Sequence, residues 1–344
     1  MMRVKIEDVC MKGSSNLKQS DVVGKNGIYP VYGAAGYLGS IDSFKQSKPY
    51  VAVVKDGAGI GRAMLLPSNS SIIGTMQYLL PKDNILPEYL YYLIKAKHLE
   101  KYYSGATIPH IYFKDYKNEE FDLFSFEIQC QIINKLKIIE KIIEKQKKEM
   151  DLLDELVKAR FVELFGDPII NDKGLITELL ANVSNLKAGK AIKTGELSEN
   201  NDTNSLFPCF GGNGIRGYIN RYTHDGTFPI IGRQGALSGN VNFAKGKFYA
   251  TEHAIVVTPK VELDDTWFFY CLKYLDLKRF QTGAAQPGVS VEKLNNISIP
   301  LPNYKSQLYF SDFVKEVDKS RLEVQKSLKK TQELFDSLMQ KYFG

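Results

Sequence analysis

The chain repeats itself once, at a spacing of 178 residues. Tyr29-Pro30-Val31-Tyr32-Gly33 returns as Phe207-Pro208-Cys209-Phe210-Gly211, and Gly57-Ala58 with Gly61 returns as Gly235-Ala236 with Gly239. Gly105-Ala106 and Pro109 fall on Gly283-Ala284 and Pro287, Gln129 falls on Gln307, and Phe165-Gly166 falls on Phe343-Gly344. Most of the repeated residues are Gly and Pro, which set backbone turns. The halves are therefore expected to share a backbone while displaying different side chains. Such a design suits a molecule that reads two different half-sites on one ligand.

Each half divides into a globular stretch and a long helix. Val51-Ala52-Val53-Val54, Ser71-Ile72-Ile73, Phe228-Pro229-Ile230-Ile231 and Ala254-Ile255-Val256-Val257 read as strands bounded by turn residues. Short helices are expected over Glu88–Lys95 and Thr266–Lys273, so each globular stretch is α+β. The stretches that follow lack Gly and Pro and carry apolar residues at alternating steps of four and three. The first seam holds Ile132, Leu136, Ile139, Ile143, Met150, Leu153, Val157 and Leu164. The second holds Phe310, Val314, Val317, Val324, Leu328, Phe335, Leu338 and Tyr342. Polar residues (Gln146, Arg160, Arg321, Thr331) interrupt both seams.

A sustained period of about 3.5 residues is the coiled-coil pattern. At about 1.5 Å per residue each helix is roughly 55 Å long, and both end in Phe-Gly, a plausible glycine cap. The expected fold is α+β: two tandem α+β domains, each followed by a long α-helix. The helices pair as an antiparallel coiled coil, giving a pseudo-twofold internal repeat, and a parallel pairing is the alternative. The expected boundaries are 1–126, 127–166, 167–304 and 305–344.

Composition excludes more than it suggests. At 44% hydrophobic and 24% charged the chain is an ordinary globular protein. No run of 18 or more apolar residues and no N-terminal apolar h-region occurs, so neither a membrane span nor a signal peptide is expected. Cys10, Cys130, Cys209 and Cys271 are isolated, which points to free thiols in a reducing cytoplasm rather than a zinc site. The net charge of +6 is weak evidence for nucleic acid, because neither 1–126 (15 basic, 12 acidic) nor 166–304 (14 basic, 13 acidic) is strongly basic.

No catalytic constellation is found. Pro-Pro, needed for the amine-holding motif of a DNA amino-methyltransferase, is absent, and His98, His110, His224 and His253 are scattered. Gly57-Ala58-Gly59-Ile60-Gly61 looks like a nucleotide-binding loop, but its partner Gly235-Ala236-Leu237-Ser238-Gly239 loses the middle glycine. A shared turn explains both, so no metal or cofactor is expected in this chain.

That turn is the first candidate contact region. Lys55 and Arg233 precede it, followed by Asp56 and Gln234, with Arg62 just beyond the first copy. Glycines let a backbone approach phosphate closely, while Lys or Arg can neutralise phosphate or read guanine. The glycine-rich loops near Tyr32 and Phe210 add Tyr37, Asn213 and Arg216, which differ between the halves. The loops before the long helices add His110 and Gln286. Tyr32, Phe210, Tyr89, Tyr91 and Trp267 are expected to be packing residues.

The arrangement resembles the specificity (S) subunit of Type I restriction–modification systems. The resemblance covers essentially the whole chain. It is carried by the repeat, by Gly283-Ala284-Ala285-Gln286-Pro287-Gly288-Val289-Ser290, and by Ile297-Ser298-Ile299-Pro300-Leu301-Pro302 leading through Gln307 into the last helix. Phe121–Phe126 departs from that proline-bearing pattern, leaving the start of the first helix open to differ. The resemblance implies a non-catalytic, cytoplasmic subunit that reads a bipartite, asymmetric site on double-stranded DNA, one half per globular domain. It implies two modification (methyltransferase) subunits docked on the helices, with room for restriction subunits. S-adenosylmethionine, ATP and magnesium are then expected on those partners. The rival expectation is a coiled-coil adaptor with two protein-binding domains.

Overall fold

A computed structural model of the chain describes residues 2–105, 109–201, 206–283 and 287–344. It divides into two compact units, Met1–Lys148 with Gln325–Gly344, and Glu149–Val324.

In the first unit β1 (Met2–Lys5) pairs with β9 (Glu120–Leu123). Between them lie β2 (Cys10–Ser14), β3 (Tyr29–Gly33), β4 (Gly36–Ile41), β5 (Tyr50–Val54), β6 (Ala63–Leu66), β7 (Ser71–Ile72) and β8 (Met76–Pro81). They form one sheet in the order β2-β8-β5-β6 and another in the order β4-β3-β7. The second unit has a two-stranded pairing of β10 (Thr177–Leu179) with β17 (Ser298–Pro300). It also holds β11 (Ser184–Ala188), β12 (Phe207–Gly211), β13 (Gly214–Ile219), β14 (His224–Gly232), β15 (Val241–Ala250) and β16 (Ala254–Pro259). These six make one sheet ordered β11-β16-β14-β15-β12-β13.

The two topologies are the same apart from one break. In the 178-residue register β15 covers β6 and β7 together. The Thr227–Lys245 pair that continues the β14–β15 ladder falls on Pro49 and Pro67. Proline donates no N–H, so the ladder stops there and resumes as a single bridge, Gln46 to Ser70. Two prolines thus divide a six-stranded sheet into a four- and a three-stranded one.

The register itself is not uniform. Lys82 N–H donates to the Val9 carbonyl and Lys260 N–H to that of Val183, both at 2.8 Å. Val9 and Val183 are 174 apart, not 178. The difference arises because the link from β11 to β12 is four residues longer than that from β2 to β3.

The expected short helices form as Pro87–Ala96 and Asp265–Tyr274, and Tyr89 and Trp267 are fully buried in them. The long helices run Phe126–Phe165 and Tyr304–Phe343. Gly166 follows the first with φ of 76°, and its N–H donates to the Val162 carbonyl, as the Phe-Gly ending predicted.

Within the first unit Ile132, Leu136, Ile139 and Ile143 share a core with Phe335, Met339 and Phe343. Gln146 Nε2 donates to Ser327 Oγ at 2.8 Å. Within the second unit Val157, Phe161 and Phe165 pack with Phe310, Val314 and Val317. Arg321 donates to Asp154, and Arg160 to the Tyr309 hydroxyl, both at 2.6 Å. In each unit residue numbers rise along one helix as they fall along the other, so the pairing is antiparallel. Gln146, Arg160 and Arg321, three of the polar positions that interrupted the seam, make these cross-helix bonds, whereas the Thr331 hydroxyl donates within its own helix to the Ser327 carbonyl. Met150, Leu153, Leu164, Val324, Leu328 and Leu338 are half-buried, whereas Phe161, Phe165, Met339 and Phe343, off the expected seam, are buried.

The two helices start alike despite the departure at 121–126. Gln129 is fully buried; its Oε1 accepts Leu86 N–H and its Nε2 donates to the Phe124 carbonyl, both at 2.9 Å. Gln307 accepts Asp264 N–H and donates to the Pro302 carbonyl at the same 2.9 Å.

Candidate nucleic-acid interface

In the first unit the buried strand β5 delivers Lys55 and Asp56 to the surface as it ends. The turn that follows is closed by Gly61 N–H on the Val54 carbonyl at 2.9 Å, with Gly57, Gly59 and Gly61 all at positive φ. A second loop is strapped beside it. Gly57 N–H donates to the Pro109 carbonyl at 3.0 Å and Ile111 N–H to that of Lys55 at 2.9 Å. His110 is thereby brought onto Asp56: its Nδ1–H donates to Asp56 Oδ1 at 2.6 Å, while Lys55 Nζ lies 3.5 Å from Oδ2. Arg62 donates to the Ala34 carbonyl at 3.2 Å, which ties in the glycine-rich loop. Tyr37 on that loop is 64% exposed, with its hydroxyl 3.0 Å from Ser40 Oγ.

The second unit has the same framework and other side chains. Gly239 N–H closes on the Gly232 carbonyl at 2.8 Å, Gly235 N–H on that of Pro287 at 2.9 Å, and Val289 N–H on that of Arg233 at 2.9 Å. Gly288 stands where the first unit has His110. Arg233 turns a guanidinium nitrogen to the Glu252 carbonyl at 3.4 Å, and Asn240 donates to Asn213 at 3.3 Å. A cleft of about 600 Å³ opens between the glycine-rich loop at 211–216 and the turn at 234–237, and Asn213, Ile215, Arg216, Gln234 and Leu237 line it. Burial pushes the Cys209 thiol up, an effect that the charge of Arg216 opposes. Gln286 lies outside the described residues.

Three sequence regions separated along the chain therefore converge in each unit. Sequence reasoning missed His253 and Leu237 as parts of the cleft. The repeat register held the signal for His253: it stands at Thr75, whose carbonyl accepts Lys55 N–H at 3.0 Å, just as the His253 carbonyl accepts Arg233 N–H at 2.8 Å. Chemically, each site offers donors and acceptors on an open surface whose glycines let another backbone come close. That combination suits base edges and phosphates. Among the described residues, no group of three or more His, Cys, Asp or Glu could hold a metal ion, and no helix is long and apolar enough to cross a membrane.

Comparison with known proteins agrees on one family. The model of the Type I restriction modification DNA specificity domain matches residues 1–150 and 179–334. The specificity subunit of the Type I restriction enzyme EcoprrI of Escherichia coli is 40% identical over 139 residues, 40% of this chain and 35% of that protein. The chain thus matches about a third of that relative's length. The MjaVIII specificity subunit of Methanocaldococcus jannaschii is 23% identical over 338 residues, 83% of this chain and 77% of that one. In fold, the chain is similar to the S subunit of a Type-I restriction-modification system from M. genitalium. The TM-score is 0.65 at 19% identity, over 100% of this chain and 96% of that one.

Proposed function

Since the chain belongs to the family of Type I restriction modification DNA specificity domains, we propose that it is the DNA-recognition subunit of such a complex. One observation carries the proposal: a single loop framework, matched to within about 0.2 Å in its main-chain hydrogen bonds, occurs twice with different side chains. A duplicated backbone with Lys55, Asp56 and His110 in one copy and Arg233, Gln234 and Gly288 in the other suits two unlike half-sites. The site is then bipartite and asymmetric. Tyr37, Arg62, Asn213, Arg216 and, from sequence, Gln286 complete the contact set.

The chain contributes recognition and no bond chemistry. Two methyltransferase subunits dock on the long helices and, where a nuclease is present, restriction subunits join them. S-adenosylmethionine, ATP and magnesium belong to those partners, and the complex works in the cytoplasm. The segments 1–126 and 167–304 act as the recognition domains, and 127–166 and 305–344 as the helical connection.

The test is methylome sequencing of a methylation-free host expressing this chain with its cognate methyltransferase subunit. A bipartite motif that needs both proteins is expected. Exchanging 167–304 for a homologue's segment should alter one half of the motif alone. A soluble, assembled complex that methylates nothing would favour the adaptor.

A further inference from the structure

We propose that Lys55 and Asp56 together read one C·G base pair in the half-site of the first unit, with His110 fixing the carboxylate for that contact. The inference rests on the DNA-recognition reading above and names the base chemistry of one of its sites.

The repeat supplies an internal control. Residues 56 and 110 form an isolated main-chain bridge, and residues 234 and 288 form the same bridge. The bonds beside it agree, at 3.0 and 2.9 Å from the glycine N–H to the proline carbonyl. Yet the second copy has a glutamine facing a glycine. The backbone therefore closes without a carboxylate and an imidazole, and their 2.6 Å contact in the first copy is not required for the loop to fold. His110 is itself held by a reciprocal pair of main-chain bonds with Ser104, both 2.8 Å.

A carboxylate on a surface that meets phosphates is unfavourable unless it is compensated and has a use. Compensation comes from His110 on Oδ1 and Lys55 beside Oδ2. All three side chains keep an accessible edge: Asp56 is 26% exposed, Lys55 31% and His110 37%. An ionised carboxylate only accepts, so the base atom it meets must be an exocyclic amine. An ammonium only donates, so the atom beside that amine must be an acceptor. In the major groove both kinds of base pair set an amine beside an acceptor, cytosine N4 by guanine O6 and adenine N6 by thymine O4. Adenine N7 flanks N6 and would repel the carboxylate, whereas the other flank of cytosine N4 is a C–H and guanine N7 adds a second acceptor for the ammonium, so the pattern selects C·G. O6 and N4 are hydrogen-bonded to one another, about 2.9 Å apart. A donor and an acceptor 3.5 Å apart match that spacing. The second unit has lost this pattern, because Gln234 replaces the carboxylate and Arg233 is turned to the Glu252 carbonyl.

The experiment reads methylomes of the full chain with its cognate methyltransferase subunit, as wild type, Asp56→Ala, Asp56→Asn, His110→Ala and Gln234→Ala. Asp56→Ala should relax a single C·G position in one half of the motif, with discrimination there falling roughly ten- to a hundredfold. Asp56→Asn keeps the side-chain shape and should move the preference at that position toward A·T, because an amide can pair with adenine N6 and N7. His110→Ala should weaken the same position by less, and Gln234→Ala should act only in the other half. The inference is overturned if either Asp56 variant methylates with the motif unchanged, or if the relaxed position is an A·T pair or shares a half with the Gln234→Ala effect. If Asp56→Ala does not assemble, Asp56→Asn decides by the same criteria. A wild-type complex that gives no bipartite motif instead overturns the DNA-recognition reading itself.

Discussion

Phe343, the last residue of the second long helix, sets its ring against Tyr89 with centroids 4.9 Å apart. In the other unit Phe165, the last residue of the first long helix, meets Trp267 at 6.2 Å. The end of each long helix thus completes the core of a unit whose sheet comes from the other repeat. Phe343 is 1% exposed, and cutting a buried Phe to Ala costs about 3–5 kcal/mol. Phe343→Ala should lower the unfolding temperature of the first unit and leave Trp267 fluorescence unchanged through that first transition. A thermal melt followed by circular dichroism and tryptophan emission checks this.

Gln129 makes the second prediction. Its buried carboxamide holds Leu86 N–H and the Asn84 and Phe124 carbonyls. Gln129→Ala leaves these part-buried groups without their partner, a loss of about 1–3 kcal/mol. Gln307→Ala should cost a similar amount, since Gln307 binds Asp264 N–H and the Pro302 carbonyl in the same way. Denaturant titration of the two variants would refute the equivalence if their losses differed by more than about 2 kcal/mol.

Gly61 and Gly57 both have φ near 80°, yet they should respond differently to alanine. A Cβ at Gly61 would come within 2.5 Å of Glu100 N, whereas one at Gly57 meets nothing within 4 Å. Gly57→Ala should cost only the left-handed strain of about 1–2 kcal/mol. Gly61→Ala adds a clash with main chain and should cost more. Equal losses in a chemical-denaturation series would contradict the close approach.

Glu119 gives a pH dependence. Burial raises its carboxyl, but hydrogen bonds from Lys101 and Tyr102, with the charges of Lys101 and Lys97, outweigh this and hold it below the ordinary range. A carboxyl lowered in the folded state adds stability that is fully present above its unfolded pKa of about 4.3, and this is lost as pH falls through the folded value. Glu119→Gln should therefore be less stable than wild type at pH 7, and the gap should close on acidification below about pH 5. A gap that stays constant from pH 7 to acid would rule the ion cluster out as its source.

Much of this architecture was legible in the residues. Four consecutive apolar residues, Val51–Val54, marked a buried strand, and the step of four and three through Ile132–Leu164 marked a helix that needs a partner. Buried residues near the helix ends escaped that reading. Phe161 and Met339 lie off the regular seam because each helix end faces a globular core as well as the other helix, which widens its apolar face. The break between β6 and β7 was also present in the sequence, as Pro49 and Pro67. It had no meaning until the strand register placed both prolines in one rung.

The sequence by itself determined the internal repeat, the strands and helices of each copy, and the loops that could carry contacts, because these follow from local pattern and backbone preference. The tertiary structure alone decided which side chains meet. Asp56 and His110 lie 54 residues apart, and no periodicity links them. They converge because the turn after β5 leaves the Gly57 N–H and the Lys55 carbonyl without a partner inside the turn. The loop around Pro109 satisfies those groups and carries the imidazole to the carboxylate.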